Sequence, residues 1–204
     1  MPKKRLAVFV SGRGSNLIAI HKKILKNEIN GEIVLIISNK EKIKALEYAK
    51  KYNIDHYILV PDSIGYIHNL KTLLKKYKVN FILLAGYLKK IPEDIVKNYK
   101  WKILNIHPAL LPKFGGKGMY GINVHKAVIE AKEKESGVTI HFIDEKYDKG
   151  LIIAQKKVKV LKNDTPETLA KRVLKVEHKL YPEVVKLLCE NKIKIKNNKV
   201  IIKE

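Results

Sequence analysis

The chain of 204 residues is long enough for one domain with a substantial core and short for two. Its 42 Lys and Arg against 20 Asp and Glu give a formal net charge of +22, while an apolar fraction of 46% excludes simple disorder despite that charge. No apolar run approaches about 18 residues, so we expect no membrane span.

Short apolar runs alternate with helical patterns over the first hundred or so residues. The predicted strands are residues 6–10, 32–38, 54–60, 80–85 and 103–106, and the predicted helices are residues 17–25, 41–52, 62–77 and 92–99. Continuously apolar strands that alternate with helices are typical of a parallel sheet covered on both faces. We therefore predict an α/β fold with an open, doubly wound sheet.

The second half of the chain no longer alternates short strands with helices. Residues 137–143 and 151–160 are strand candidates that flank a polar loop, which predicts antiparallel pairing. A long helix is expected to start at residues 165–167, and residues 192–203 form a hairpin candidate. These elements predict antiparallel C-terminal additions within a single domain, 1–204.

Lysine supplies nearly all of the basic charge and is spread over almost every segment. Nucleic-acid surfaces usually gather cations on one face among aromatic side chains, so we interpret the charge as a lysine-rich solvated surface and expect no dedicated nucleic-acid partner. A positive field that attracts small polyanionic substrates is a second interpretation. The only cysteine, Cys189, excludes an internal disulfide. With no signal-like segment in the sequence, we expect a cytoplasmic location and a monomer or homodimer.

A glycine-rich turn, Gly12-Arg13-Gly14-Ser15-Asn16, joins the first predicted strand to the first predicted helix. Backbone N–H groups at a helix start suit a phosphate group. The turn has neither the third glycine of a dinucleotide fingerprint nor the Gly-Lys-Ser/Thr of a P-loop. It therefore favours a phosphate monoester or phosphoribosyl group, the alternative being an ordinary capped turn.

Asn105 and His107 lie two residues apart at the end of a predicted strand, so their side chains share a face. Ligands of open α/β sheets bind at the carboxyl ends of strands. An amide can donate to a developing oxyanion and an imidazole can transfer a proton near neutral pH. This pair predicts a catalytic site.

A carboxylate is expected to act on His107 by raising its pKa and fixing its tautomer. Asp148 is the candidate, with Asp144 and Glu145 of the same polar loop as rivals. Five other histidines sit in helix or strand patterns without ligand-like partners: His21, His56, His68, His125 and His141. His178, next to Glu177 on a predicted helix, is a candidate to line a site. No group of His, Cys and carboxylates has zinc-ligand spacing, so we expect no metal.

The chain resembles the phosphoribosylglycinamide formyltransferase family over almost its whole length. The matching segments are residues 11–16, 84–87, 105–112, 137–142 with Asp148, and 176–182. The resemblance implies a Rossmann-like formyltransferase fold. It further implies that residues 1–100 form a phosphoribosyl-binding half and residues 101–204 a catalytic and folate-binding half.

The resemblance also implies a reaction. The amine of glycinamide ribonucleotide attacks the formyl carbon of 10-formyltetrahydrofolate, the co-substrate, and a tetrahedral intermediate collapses to formylglycinamide ribonucleotide and tetrahydrofolate. Asn105 and His107 would stabilise the oxyanion, and His107 with Asp148 would move the proton. The residues implied for glycinamide ribonucleotide are Gly14, Ser15, Asn16 and Glu177. The residues implied for folate are Leu88, Lys89, Lys90, Ile91, Asn105, Asp144, Glu145, Lys146, Tyr147 and Asp148.

This sequence departs from the family at Leu88-Lys89, where the family commonly has Met-Arg, and at Ser63–Tyr66, which lacks an arginine often found there. Lysine keeps the charge but not the planar fork of arginine. Three alternatives stay open: methionyl-tRNA formyltransferase, formyltetrahydrofolate deformylase, and a nucleic-acid-binding protein without catalysis. The first two families usually carry an additional domain.

Overall fold

The computed structural model describes residues 2–144 and 148–203. The chain divides into two compact units, Met1–Leu104 and Asn105–Glu204. No helix of the described part is long and apolar enough to cross a lipid bilayer. The assignment of 1–204 as one domain with two functional halves stays a prediction.

The first unit alternates strands and helices. Its elements are β1 (Lys4–Val10), α1 (Ser15–Leu25), β2 (Gly31–Ser38), α2 (Lys44–Lys51), β3 (His56–Ile58), α3 (Tyr66–Lys76), β4 (Phe81–Leu84) and α4 (Glu93–Asn98). Strand β1 pairs in parallel with β2 and with β4, and β2 pairs in parallel with β3. The side chains from Leu6 to Val10 are wholly buried, as expected for a central parallel strand covered on both faces.

A change of strand order occurs beside β1. The chain runs outward from β1 through β2 to β3, and then returns to place β4 on the other side of β1. Parallel sheets bind ligands outside the carboxyl ends of the strands at such a switch point. The loops that follow β1 and β4 are therefore the binding positions that this topology favours.

Strand β5 (Ile103–His107) spans the boundary between the two units. The second unit continues with α5 (Ile122–Glu130), β6 (Glu135–Phe142), β7 (Ile152–Lys159), α6 (Pro166–Cys189), β8 (Ile193–Lys196) and β9 (Lys199–Ile202). The sheet order is β3-β2-β1-β4-β5-β6-β7, with β7 antiparallel to β6, and β8 and β9 form a separate hairpin. The predicted fold class is confirmed.

Strand β7 is the last strand in this order and carries a lysine-rich sequence. Lys156, Lys157 and Lys159 are exposed, whereas Ile153 and Val158 are buried. The Lys157 ammonium lies 2.7 Å from the carboxylate of Glu135 on β6.

Three elements differ from the sequence-based prediction. Strand β3 has three residues where residues 54–60 were expected, which suits an outer strand of a sheet. Pro92 is the N-cap of α4, with a ψ of 141°, rather than a residue of its first turn. Helix α5, of nine residues, was not predicted from the sequence.

The start of α6 is fixed by a group of polar side chains. Thr165 and Thr168 each accept a hydrogen bond from the other's backbone N–H, at 3.3 and 2.9 Å, which forms a capping box. The Arg172 guanidinium donates two hydrogen bonds to the carboxylate of Asp164, at 2.6 and 2.7 Å. These hydrogen bonds hold the pKa of Asp164 well below its usual range, although burial acts in the opposite direction.

We predict that Asp164→Asn lowers the free energy of unfolding at pH 7 by about 1.5 kcal/mol, because it removes charged hydrogen bonds from a partly solvated pair. The pKa of Asp164 is depressed in the folded state, so this stabilisation is complete above the unfolded value of about 3.9 and is lost as the pH falls below it. Urea unfolding of both proteins from pH 7 to pH 2.5 measures the difference.

The control is Lys186→Ala, which removes an exposed pair with Glu190 whose charged atoms are 3.9 Å apart. We expect it to change the free energy of unfolding by less than about 0.5 kcal/mol. A difference between Asp164→Asn and wild type that stays constant as the pH falls would contradict the assignment.

Candidate active site

The second unit holds a buried carboxylate between two histidines. The Asp148 side chain, 12% exposed, lies 3.8 Å through Oδ2 from Nδ1 of His107. Its Oδ1 lies 3.4 Å from Nε2 of His141, whose side chain is wholly buried. The backbone N–H of Gly116 donates to Oδ2 at 2.8 Å. The structure therefore brings Asp148 to His107, which sequence spacing could not decide among the rival carboxylates.

His141 joins Asp148 to Asn105. Its Nδ1 lies 2.8 Å from the carbonyl oxygen of Phe142, which can only accept, so Nδ1 carries a proton. Its Nε2 lies 3.1 Å from the side-chain nitrogen of Asn105. Nε2 accepts from this amide when the ring is neutral and donates to Asp148 when the ring is protonated.

The expectation that His141 lacks partners is wrong. The sequence carried one usable signal, the Thr139-Ile140-His141 spacing on a strand, but only the pairing of strands could bring that strand's side chains to Asn105 and Asp148.

His107 is held in one tautomer by the loop that follows it. Its Nε2 lies 2.7 Å from the carbonyl oxygen of Phe114, so the Nε2–H donates there when the ring is neutral. The unprotonated Nδ1 then faces Asp148. The ring is 3% exposed, which shields this arrangement from bulk water.

Burial lowers the pKa of His107, and the charge of Asp148 acts in the opposite direction without overcoming it. Burial acts to raise the pKa of Asp148, but the hydrogen bonds from His141 and Gly116 and the nearby ring of His107 outweigh it and lower that pKa. At neutral pH the site consequently contains a neutral His107 beside an ionised Asp148.

A third buried histidine, His125, is uncharged at physiological pH. His125 lies on α5 and is 4% exposed, and its Nδ1 has no hydrogen-bond partner within the described ranges. Burial, with a smaller effect of His107, lowers the pKa of His125 to about 4. His125 is therefore neutral at physiological pH and adds no positive charge that would oppose protonation of His107.

In the first unit, Gly14 shapes the turn before α1. Its φ of 71° is a left-handed conformation, and a Cβ there would come within 2.7 Å of the Cβ of Ala45. Gly14 is the N-cap residue, and as a glycine it has no side chain that could accept from the first N–H groups of the helix. Backbone donors at the helix start with Ser15 and Asn16 suit an anion.

Ser11 connects the loops at the switch point of the first unit. Its hydroxyl accepts the backbone N–H of Leu88 at 2.9 Å and donates to the side-chain oxygen of Asn39 at 2.6 Å. One buried hydroxyl thus ties the glycine-rich turn to the segment after β4. No predicted role was given to Ser11, since a serine in a glycine-rich turn carries no signal of such a contact.

The other predicted residues lie as follows. In the first unit Leu88, Lys89 and Lys90 are exposed and Ile91 is buried. In the second unit Asp144 is exposed and Glu177 is a buried residue of α6. Glu145, Lys146 and Tyr147 lie outside the described residues. No cluster of three or more potential metal ligands occurs among the residues that the structure does describe.

Residues 4–185 match the formyl transferase family. The chain is 52% identical over 197 residues to a chloroplastic phosphoribosylglycinamide formyltransferase of Arabidopsis thaliana, covering 94% of this chain and 68% of the relative. It spans between 62% and 68% of three such plant relatives.

Two bacterial proteins are similar over nearly their whole length. The phosphoribosylglycinamide formyltransferase of Bacillus subtilis is 36% identical over 189 residues, covering 91% of this chain and 94% of the relative. The crystal structure of glycinamide ribonucleotide transformylase 1 from Symbiobacterium toebii superimposes with a TM-score of 0.91 at 33% identity, covering 99% of this chain and 95% of that one.

We predict that the His107 imidazole titrates below its ordinary pKa of 6.5 in the wild-type protein. Asp148→Asn should lower this pKa further, because it removes the negative charge that favours the imidazolium. NMR titration of the histidine ring protons measures both values. Glu190→Gln, a carboxylate lost elsewhere in the same unit, is the control and should leave the titration unchanged. An unchanged or higher pKa in Asp148→Asn would contradict the electrostatic role of Asp148.

Proposed function

The chain belongs to the formyl transferase family, and from that membership we propose that it transfers the formyl group of 10-formyltetrahydrofolate to the amine of glycinamide ribonucleotide. The family predicted from the sequence is confirmed. The structural observation that carries the proposal is the buried Asp148, which lies against His107 and, through His141, against Asn105.

The reaction balances without a redox step or a covalent enzyme intermediate. The amine nitrogen of glycinamide ribonucleotide forms a bond to the formyl carbon, and the bond from that carbon to N10 of the folate breaks. One proton leaves the attacking amine and one reaches the departing nitrogen. The protein must therefore stabilise negative charge on the formyl oxygen and carry a proton.

Asn105 and His107 supply these functions in the proposal. The Asn105 amide is a neutral donor for the oxyanion, and His141 orients it through the contact at 3.1 Å. Nδ1 of His107 is unprotonated at neutral pH and takes up the proton of the amine. Asp148, ionised and 3.8 Å away, stabilises the resulting imidazolium.

Glycinamide ribonucleotide carries a phosphate, which the first unit would hold. Gly14, Ser15 and Asn16 lie at the start of α1, where backbone donors and the helix dipole favour an anion. The contact of Glu177 with glycinamide ribonucleotide, which the resemblance implies, stays a prediction.

The folate contacts that the resemblance implies are residues 88–91, Asn105 and residues 144–148, and these assignments stay predictions. Both substrates are anionic, so the net charge of +22 would attract them over a distance. A cytoplasmic location and a monomeric or homodimeric state stay predictions, and three plant relatives are chloroplastic by name.

A comparison of acceptors tests the proposed activity. Purified protein is supplied with 10-formyltetrahydrofolate and either glycinamide ribonucleotide, initiator methionyl-tRNA or water alone, and formation of tetrahydrofolate and the formylated product is followed. We expect formyl transfer to glycinamide ribonucleotide. Transfer to methionyl-tRNA would indicate the tRNA enzyme, release of formate in water the deformylase, and no turnover with any acceptor would refute the proposal.

Substitutions in the buried cluster test the assigned roles. His107→Ala and Asp148→Ala should each reduce kcat by about 10²- to 10⁴-fold, because each removes part of the proton-transfer pair. Circular dichroism and thermal unfolding report whether the variants keep the fold. Lys186→Ala on α6 is the control and should turn over as wild type. Near-normal kcat in either cluster variant would show its catalytic assignment to be wrong.

A further inference from the structure

Two side chains on neighbouring strands form hydrogen bonds to the backbone of residues 109–111, in the loop that follows β5. Thr139 on β6 and Gln155 on β7 are directly opposite each other in the antiparallel pair. The Thr139 hydroxyl accepts the backbone N–H of Leu111 at 3.0 Å and donates to the carbonyl of Ala109 at 2.7 Å. The Gln155 amide donates to the carbonyl of Leu111 at 2.9 Å and to the Thr139 hydroxyl at 2.8 Å.

These bonds saturate the Thr139 hydroxyl, which has one proton to donate and two lone pairs to accept with. The Thr139 side chain is wholly buried, so water does not compete for the hydroxyl. Since its single proton is committed to Ala109, the Leu111 carbonyl depends on Gln155 for its hydrogen bond. Gln155 is itself exposed, yet its amide supplies this hydrogen bond to the buried end of the network.

Packing supports the same placement of the loop. A Cβ at Gly137 of β6 would come within 2.5 Å of Leu110 Cδ2, so the Leu110 side chain lies directly on the strand backbone. The loop segment 109–111 is consequently held by hydrogen bonds on both sides of Leu110 and by close packing at Leu110 itself.

Along the chain, residues 109–111 lie between His107 and the backbone groups that orient the His107 ring and the Asp148 carboxylate. The chain passes from His107 through residues 109–111 to Phe114, whose carbonyl accepts from Nε2 of His107, and to Gly116, whose N–H donates to Asp148. A shift of the segment would therefore move both the acceptor that selects the His107 tautomer and a donor that fixes the Asp148 carboxylate.

We propose that Gln155 is a positioning residue for formyl transfer: with Thr139 it holds the loop 109–111, and through Phe114 it keeps Nδ1 of His107 unprotonated and directed at Asp148. This inference rests on the proposed function for its kinetic consequence and on the geometry alone for the tautomer. Gln155 touches no reacting group in this role.

The kinetic test uses Gln155→Glu, which keeps the length of the side chain but replaces the donating amide with a carboxylate. We expect kcat for formyl transfer to glycinamide ribonucleotide to fall about ten- to a hundredfold, because catalytic groups lose their alignment, with KM values within about twofold of wild type. Gln155→Ala should show a similar fall in kcat, and it replaces Gln155→Glu in the test if the carboxylate prevents folding. Lys156→Ala, the next residue of β7 and on its opposite face, is the matched control and should keep the wild-type kcat.

A readout independent of turnover separates positioning from general weakening of the fold. Nitrogen-15 NMR of the imidazole should show the Nε2–H tautomer of His107 in wild type and in Lys156→Ala, and a mixture of tautomers in Gln155→Glu. Hydrogen exchange at the Leu111 amide should accelerate in Thr139→Val, which loses the hydroxyl, and stay slow in Thr139→Ser, which keeps it.

The outcomes are decisive in both directions. Wild-type kcat in both Gln155 variants would overturn the proposal, and so would a lower kcat with an unchanged His107 tautomer. If the wild-type protein fails to formylate glycinamide ribonucleotide, the proposed function is wrong, while the tautomer measurement still decides whether Gln155 positions His107.

Discussion

The candidate active site depends on one largely buried carboxylate, Asp148, that lies between two imidazoles anchored in different ways. Each histidine gives one ring nitrogen to a backbone carbonyl and presents the other to Asp148. His141 anchors Nδ1 on Phe142 and presents Nε2, whereas His107 anchors Nε2 on Phe114 and presents Nδ1. Because carbonyl oxygens only accept, the main chain decides which nitrogen of each ring is available to the carboxylate.

This division of work gives the two histidines unequal roles. His141 also contacts Asn105, so it belongs to the part of the site that orients an oxyanion donor. Among the described residues, Asp148 is the group that faces Nδ1 of His107, whereas the Asn105 amide contacts His141. A neutral His125 nearby avoids a second positive charge that would compete with the imidazolium. In the proposed mechanism, proton transfer and oxyanion binding thus involve the same carboxylate but different imidazole rings.

Local sequence patterns predicted secondary structure correctly where the residues of a segment themselves determine its conformation. The apolar run of β1, the glycine-rich turn and the start of α6 at Thr165 carry their signals in consecutive residues, and the structure has all three. Helix α5 was missed, although the shorter helices α2 and α4 were predicted. Pro92 was placed one position too far into α4, since a proline can occupy the N-cap as well as the first turn.

The candidate active site was predicted only in part, because the positions of several of its side chains depend on strand pairing. Asn105 and His107 could be placed together from their spacing on one strand. His141 and Gln155 act from two other strands, and the antiparallel register of β6 and β7 decides which residues stand opposite each other. No local sequence pattern contains that register. The choice of Asp148 over Asp144 likewise follows from the path of a loop rather than from residue type.

The lysines of β7 have a consequence for the behaviour of the protein in concentrated solution. The outer strand of a sheet exposes unpaired N–H and C=O groups to which a strand of another molecule can add. For a second copy to add along β7, its own ammonium groups would have to approach those of Lys156, Lys157 and Lys159, and like charges at strand spacing repel. Part of the large positive charge therefore protects the folded chains from edge-to-edge aggregation, whatever it contributes to ligand binding.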